Sequence, residues 1–194
     1  MNLETFFDHI DKIHPISKRS KELLENISSE VTVRKGEDLQ HIGSTCRTVY
    51  FVKNGLLRIH YIKNGLSVTE SFEFENSIVA RSDSLFDAKP SRKGIQAIED
   101  TDLVAINSTK LFQLYDDNPD IERLFRLIFE QAYVKTVERI ESLQFHTAEE
   151  RYRNLLEHSQ EIIKRIPLNY IASYLGITPV SLSRIRSKIQ LADH

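Results

Sequence analysis

Cysteine is almost absent from this chain: Cys46 is the only one in 194 residues. One thiol rules out an intrachain disulfide, a cysteine-ligated zinc site and a four-cysteine iron–sulfur cluster within one subunit. A lone thiol reads first as a small buried apolar residue, with a redox sensor as the alternative. The seven histidines (9, 14, 41, 60, 146, 158 and 194) show neither H-x3-H nor HExxH spacing, so no metal site is expected. No run approaches the roughly 18–20 uninterrupted apolar residues of a membrane span. The opening stretch, MNLETFFDHIDKIHP, carries acids where a signal peptide carries positive charge, so a cytoplasmic protein is expected. The G-x-S-x-G, P-loop and G-x-G-x-x-G patterns are all missing. Glu70, Glu73 and Glu75 fall on one expected strand and read as its solvent face rather than as a catalytic pair. No enzyme activity, catalytic residue, cofactor or metal is therefore expected.

What is present describes a folded protein with an uneven charge distribution. Hydrophobic residues make up 40% and charged residues 28%, the balance of an ordinary globular chain. The net charge of −2 conceals two halves of opposite sign. Residues 151–194 hold seven Lys/Arg against three acids, a net +4, and residues 1–150 hold 19 against 25, a net −6. A basic module on an acidic body suits a phosphate-backbone partner, although a charge of this size also occurs on plain solvated surfaces.

Along the chain, Phe6, Phe7, Ile10 and Ile13 recur at helical spacing, and Ser17 opens a second short helix through Leu23, Leu24 and Ile27. From Val31 the pattern turns to short strands punctuated by glycine; five of the six glycines lie within residues 36–94. Asn54-Gly55 and Asn64-Gly65 supply the positive φ angles of tight hairpins. Between them Leu57, Ile59 and Tyr61 alternate with Arg58 and His60, the pattern of a half-buried strand. Further strands are expected at 95–98 and 103–106. The fold class is α+β, with an N-terminal antiparallel β-roll of jelly-roll type and flanking helices.

Strand signals stop at Ser108, which can cap a short helix through Leu111 and Leu114. Asn118 and Pro119 then suit the N-cap and first turn of a helix running to about Phe145, twice a typical length. Its apolar residues (Ile121, Leu124, Phe125, Leu127, Ile128, Phe129, Val134, Val137, Ile140 and Leu143) cover more than one face. One face can pack on the roll; the rest calls for a partner, most simply the same helix of a second subunit. Glu130, Glu141 and Gln144 interrupt the heptad, so the partner's orientation is not legible. Thr147 and Glu150 have capping-box spacing at the head of the next amphipathic helix.

The segment KRIPLNYIASYLGITPVSLSRIRSKI is expected to form a helix-turn-helix. Leu168, Ile171 and Leu175 make one apolar stripe; Leu182, Ile185 and Ile189 make another. Ala172 is small where two helices cross, Gly176 can end the first helix in the left-handed region, and Thr178 and Pro179 suit the start of the second. The second helix then presents Pro179, Val180, Ser181, Ser183, Arg184, Ser187 and Lys188 away from its core. As DNA-binding residues we take Thr178, Pro179, Val180, Ser181, Ser183, Arg184, Arg186 and Lys188. Thr178 and Ser181 would anchor phosphates, Arg184 would read a base, and Val180 would touch a thymine methyl. Arg186 and Lys188 would add backbone charge. The bland alternative is an αα-hairpin with a solvated basic face.

This order of parts resembles the Crp/Fnr (cyclic-AMP receptor protein / fumarate-nitrate reductase regulator) superfamily over nearly the whole chain. VRKGE at 33–37, VYFVKNGLLRI at 49–59, SLFDAKPSR at 84–92 and IASYLGITPVSLSRI at 171–185 carry the likeness. It implies a sensor domain over 1–117, a dimerisation helix over 118–146 and a DNA-binding domain over 147–194. It also implies a homodimer on a near-palindromic site in double-stranded DNA. Cyclic-nucleotide binders of the family carry Gly-Glu before a Leu-Phe pair and Arg-Ser after it. Around Leu85-Phe86 this chain has Arg81-Ser82 and Arg92-Lys93, and only Arg92 matches. The missing ribose ligand disfavours cyclic AMP and leaves Arg81, Ser82, Arg92 and Lys93 as candidates for another small anionic effector, or as a solvated cationic edge. Little room remains for strands before Pro167 or after Ile189, so the DNA-binding domain is expected to lack a full wing. The alternative function is a ligand-binding regulatory module whose shortened C-terminal domain does not bind DNA.

Overall fold

The computed structural model describes residues 3–192, with side chains described except at 158–163 and 190–192. Two short helices come first, α1 (Glu4–Ile13) and α2 (Lys18–Asn26). The apolar spacing of α1 buries Phe6 and Ile10 on one side. Ser17 caps α2 by accepting a hydrogen bond from Ser20 N–H at 3.1 Å. Eight strands follow: β1 (Ser28–Val33), β2 (Asp38–Gln40), β3 (Thr48–Asn54), β4 (Leu57–Lys63), β5 (Leu66–Glu73), β6 (Ile78–Val79), β7 (Gly94–Ala97) and β8 (Thr101–Asn107). They form two four-stranded antiparallel sheets, in the orders β1-β8-β3-β6 and β2-β7-β4-β5. Residues from both sheets, among them Val33, Val52, Leu57, Ile59, Ile95 and Leu103, close over a common core. This is the expected jelly-roll.

The two Asn-Gly pairs part company. Asn64 (φ 53°) and Gly65 (φ 77°) make the two-residue hairpin between β4 and β5, with Lys63 opposite Leu66. Asn54-Gly55 makes no hairpin: β3 lies in one sheet and β4 in the other. Gly55 (φ 106°) carries the chain across, and a side chain there would lie 2.7 Å from backbone atoms of Asp100 and Thr101. The glycine is needed for that close passage rather than for a tight hairpin. The alternation expected of β4 also changes. Leu57, Arg58, Ile59 and His60 are all buried, because the face carrying Arg58 and His60 is covered as well.

A six-residue helix, α3 (Ser82–Asp87), bridges β6 to the chain before β7. After β8 come α4 (Ser108–Leu114), α5 (Pro119–Phe145), α6 (Ala148–Arg165), α7 (Leu168–Tyr174) and α8 (Pro179–Ala192). The cap of α4 is Asn107, whose side chain accepts from Lys110 N–H at 2.9 Å; Ser108 is the first helical residue. Asn118 stands at the N-cap position of α5, but its side chain donates back to the Leu114 carbonyl at 2.8 Å instead of capping. Asp120 is the acceptor at this end, taking Ser17 N–H at 2.9 Å and the Ser20 hydroxyl. The capping box of Thr147 and Glu150 forms at the head of α6.

The first half of α5 buries Ile121, Leu124, Phe125 and Ile128 in a core shared with α1 and the roll. Its second half leaves Tyr133 (70% exposed), Val134, Ile140, Leu143 and Phe145 (73% exposed) on the surface. Cys46 is buried at 3% exposure and packs in the same core as α1 and α5. Among the described residues no strand lies between α6 and α7 or follows α8, and no helix is long and apolar enough to cross a membrane. His194 lies outside the described residues.

Candidate nucleic-acid interface and sensor pocket

The turn between α7 and α8 is built by three adjacent residues. Gly176, at φ 71°, lets its own N–H reach the Ser173 carbonyl (3.1 Å) and that of Ile177 reach the Ala172 carbonyl (3.0 Å). This pair of bonds satisfies the end of α7 in a Schellman arrangement. Thr178 then starts α8, its hydroxyl oxygen accepting from Ser181 N–H at 3.1 Å. Ile171, Ala172 and Leu175 of the first segment pack on Leu182 and Ile189 of the second, with Tyr152 from α6 and Ile166 just after it. Leu168, expected in the first stripe, is 47% exposed instead, because it sits at the first residue of α7 and projects beyond the crossing.

The outward face of α8 carries Val180 (62% exposed), Ser183, Arg184 and Ser187. Arg184 makes no ion pair among the described residues. Thr178 and Pro179 are exposed at the helix start; Ser181 is half-buried, its hydroxyl 3.0 Å from that of Thr178. Arg186 is half-buried and lines a shallow depression with Leu168, Pro179 and Ser183, on the flank nearer the helix core. Lys188 is exposed but pairs with Glu149 of α6 at 2.7 Å. The candidate DNA face thus gathers Thr178, Pro179, Val180, Ser183 and Arg184, with Arg186 and Lys188 along its sides.

Sequence reasoning missed how this module is fastened. Helix α7 lies against β5 and the outer face of its sheet. Arg58 stacks its guanidinium 3.8 Å from the centre of the Tyr170 ring and donates to Gln96 Oε1 through Nε (2.9 Å) and a terminal nitrogen (2.7 Å). Thr69 N–H donates to Ser173 Oγ at 3.0 Å, and Phe72 meets Tyr174 with ring centres 5.2 Å apart. From α5, Arg139 stacks 3.8 Å from the Tyr174 ring and donates to its carbonyl. Arg151 donates to the Leu175 carbonyl at 2.8 Å. Arg165 joins Glu75 through two hydrogen bonds (2.7 and 3.1 Å) and also pairs with Glu99. Those bonds from Arg165 hold the Glu75 carboxyl below the usual range. The only sequence signal was the presence of Arg58 and His60 on a strand otherwise rich in apolar residues.

The four effector candidates occupy different settings. Arg81 is buried beside α3 at 7% exposure, Ser82 and Arg92 are exposed, and Lys93 is half-buried. Arg81 lies 3.7 Å from Glu70 and 3.3 Å from Asp83, and Lys93 pairs with the other oxygen of Glu70. Glu70, Glu73 and Glu75 do not form a solvent face: each is partly buried and each has a partner, Glu73 taking the Ser71 hydroxyl at 2.7 Å. Burial pushes the Glu73 carboxyl up. Among the described residues no group of His, Cys, Asp and Glu is arranged to hold a metal ion.

Residues 30–118 match the cyclic nucleotide-binding domain family. The chain superposes on FixK2 from Bradyrhizobium japonicum with a TM-score of 0.73 at 20% identity, covering 86% of each chain. It is similarly related to the c-di-GMP-responsive global regulator CLP of Xanthomonas campestris (TM-score 0.73, 17% identity, 91% of this chain and 93% of that one). A Crp/Fnr-family regulator from Eubacterium rectale gives a TM-score of 0.74 at 18% identity, over 91% and 85% of the two chains. The chain has the Crp/Fnr fold. The Crp/Fnr likeness carried by four sequence segments is thereby borne out over roll, long helix and C-terminal helices together. No curated protein matches the sequence itself.

Proposed function

We propose that this Crp/Fnr-fold chain is a DNA-binding transcription regulator, not an enzyme. It acts as a homodimer through the helix at 118–146, with one α8 in each half of a near-palindromic site and a sensor domain at 1–117. The observation that carries the reading is the outward face of α8. A capped helix start, Val180, Ser183 and an Arg184 that makes no ion pair among the described residues stand together there on a packed two-helix module. Hydroxyls and a helix N-terminus hold phosphates, and an arginine can take guanine bidentately. The exposed apolar residues in the second half of α5 support the dimer, since the described part of the chain leaves about half or more of each of them open. A DNA partner in turn implies a cytoplasmic protein.

Fluorescence anisotropy with the DNA upstream of its own gene, at two salt concentrations, tests this directly. Binding should weaken with salt at a log–log slope of about one unit per phosphate contact. Arg184→Ala should relax specificity at one base position by about 1–3 kcal/mol. A variant that discriminates among sequences as the parent does would remove the base-reading role from Arg184. No binding to any duplex at low salt would leave a regulatory module without a DNA partner.

A further inference from the structure

Glu70 is out of step with its strand. Ile59 pairs with Ser71 and His60 with Thr69, so Glu70 is the extra residue of a bulge in β5. A bulge re-aims the side chain it carries. The Glu70 carboxylate meets Arg81 Nη1 through one oxygen, at 3.7 Å, and Lys93 Nζ through the other. From there a closed ring of polar contacts runs back to Glu70. Arg81 donates to Asp83 Oδ1 (3.3 Å), the Ser91 hydroxyl donates to Asp83 Oδ2 (3.3 Å), and Lys93 N–H donates to Ser91 Oγ (3.1 Å). The ring ties β5, α3 and the segment before β7 into one unit holding two carboxylates and two cations. A guanidinium as buried as that of Arg81 requires an anion beside it, and here the chain supplies one itself.

We propose that Glu70 is a built-in anion, making the contacts that a ligand phosphate would otherwise make with Arg81 and Lys93, and that it closes this pair of cations to cyclic nucleotides and other small phosphates. An incoming phosphate would meet a carboxylate already seated between the two cations and would have to open the ring to displace it. Of the three cations among the expected residues, Arg92 alone lies outside the ring; it is exposed and holds an anion only weakly against water. The proposal rests on the Crp/Fnr reading only for the ligand class it excludes.

The test is thermal melting of the full chain and of Glu70→Ala and Glu70→Gln, with millimolar cyclic AMP, cyclic GMP or inorganic phosphate, each against sodium chloride of equal ionic strength. The parent should not respond to any of the three. Both variants should melt lower and recover saturably, by about 2–4 °C, in inorganic phosphate. A nucleotide that does no better than phosphate shows that only the oxyanion is read; one that does better shows that the base is read as well once Glu70 is gone. Either result supports the proposal. A saturable rise in the parent overturns it. So do variants that melt like the parent, or that melt lower yet ignore every anion. Duplex binding by the parent without effector, measured alongside, fails independently if the regulator reading is wrong, because the melting readout needs no DNA.

Discussion

At Gly176 the backbone sits at φ 71°, and a methyl group added there would meet nothing within 4 Å. The cost of Gly176→Ala is therefore conformational rather than steric, about 1–2 kcal/mol for holding an L-residue in the left-handed region. Chemical denaturation should show that loss, with the slope of the transition unchanged. His60 offers a different single-residue effect. It is buried, with Nδ1 3.4 Å from Ser67 Oγ and Nε2 3.7 Å from Asp38 Oδ1. Burial, and then the charge of Arg58, hold its pKa below the ordinary 6.5, with Asp38 opposing. A folded value below the unfolded one means that the unfolded chain takes up the proton first. The stability contributed by neutral His60 is thus whole above pH 6.5 and is lost as pH falls from there towards the folded value. Melting temperature should drop between about pH 7 and pH 5, and His60→Gln should flatten that drop. Glu75 has the same sign but acts lower, in the carboxylate range, where loss of its charge weakens the pair with Arg165. A profile that His60→Gln leaves unchanged would place the acid sensitivity elsewhere.

Among the elements, α7 is the one whose position is set by groups distant in sequence. Tyr170→Leu keeps much of the volume but removes the ring under Arg58, leaving a buried guanidinium with Gln96 and Thr69 as its hydrogen-bond partners among the described residues. The expected loss is about 0.5–2 kcal/mol. Hydrogen exchange should find it as faster opening across α7 and α8, with β3 and β8 protected as before; uniform loosening would mean that the stack does not act locally. The same element marks what the sequence could disclose. The Gly176–Thr178 turn, the capping box at Thr147 and the hairpin at Asn64-Gly65 were legible because each is complete within a few residues. Asn54-Gly55 has the same local chemistry, yet its partner strands are decided by the topology of two sheets. Arg58 looked solvated because its cover, the Tyr170 ring, comes from α7; Thr69 and Ser173, which bond there, are 104 residues apart. Glu70 was misread for a related reason: one bulge changes the face that period-two counting assigns.

In the whole molecule, the basic C-terminal module is held by the acidic body through specific bonds, and the body ends in an unfinished surface. Tyr133, Val134, Ile140, Leu143 and Phe145 extend along the half of α5 that the roll does not reach. A second α5 laid along the first would cover these side chains in both chains at once, and the same contact would set the distance between the two α8 helices. The dimer and the DNA contact are therefore one geometric claim. Sedimentation of the parent should give about twice the 22.5 kDa of one chain. Ile140→Glu combined with Leu143→Glu places like charges on the seam and should return the mass to that of the monomer, with the roll still folded by circular dichroism. Its melting should lose the concentration dependence that a dimer shows. Each freed chain would keep its own α8 face and its own phosphate contacts but only half of the palindrome. Duplex affinity should then fall steeply while the log–log salt slope drops to about half the parent's. A double variant that remains dimeric would assign the uncovered face to another partner, and one that turns monomeric yet keeps full affinity would separate DNA recognition from pairing altogether.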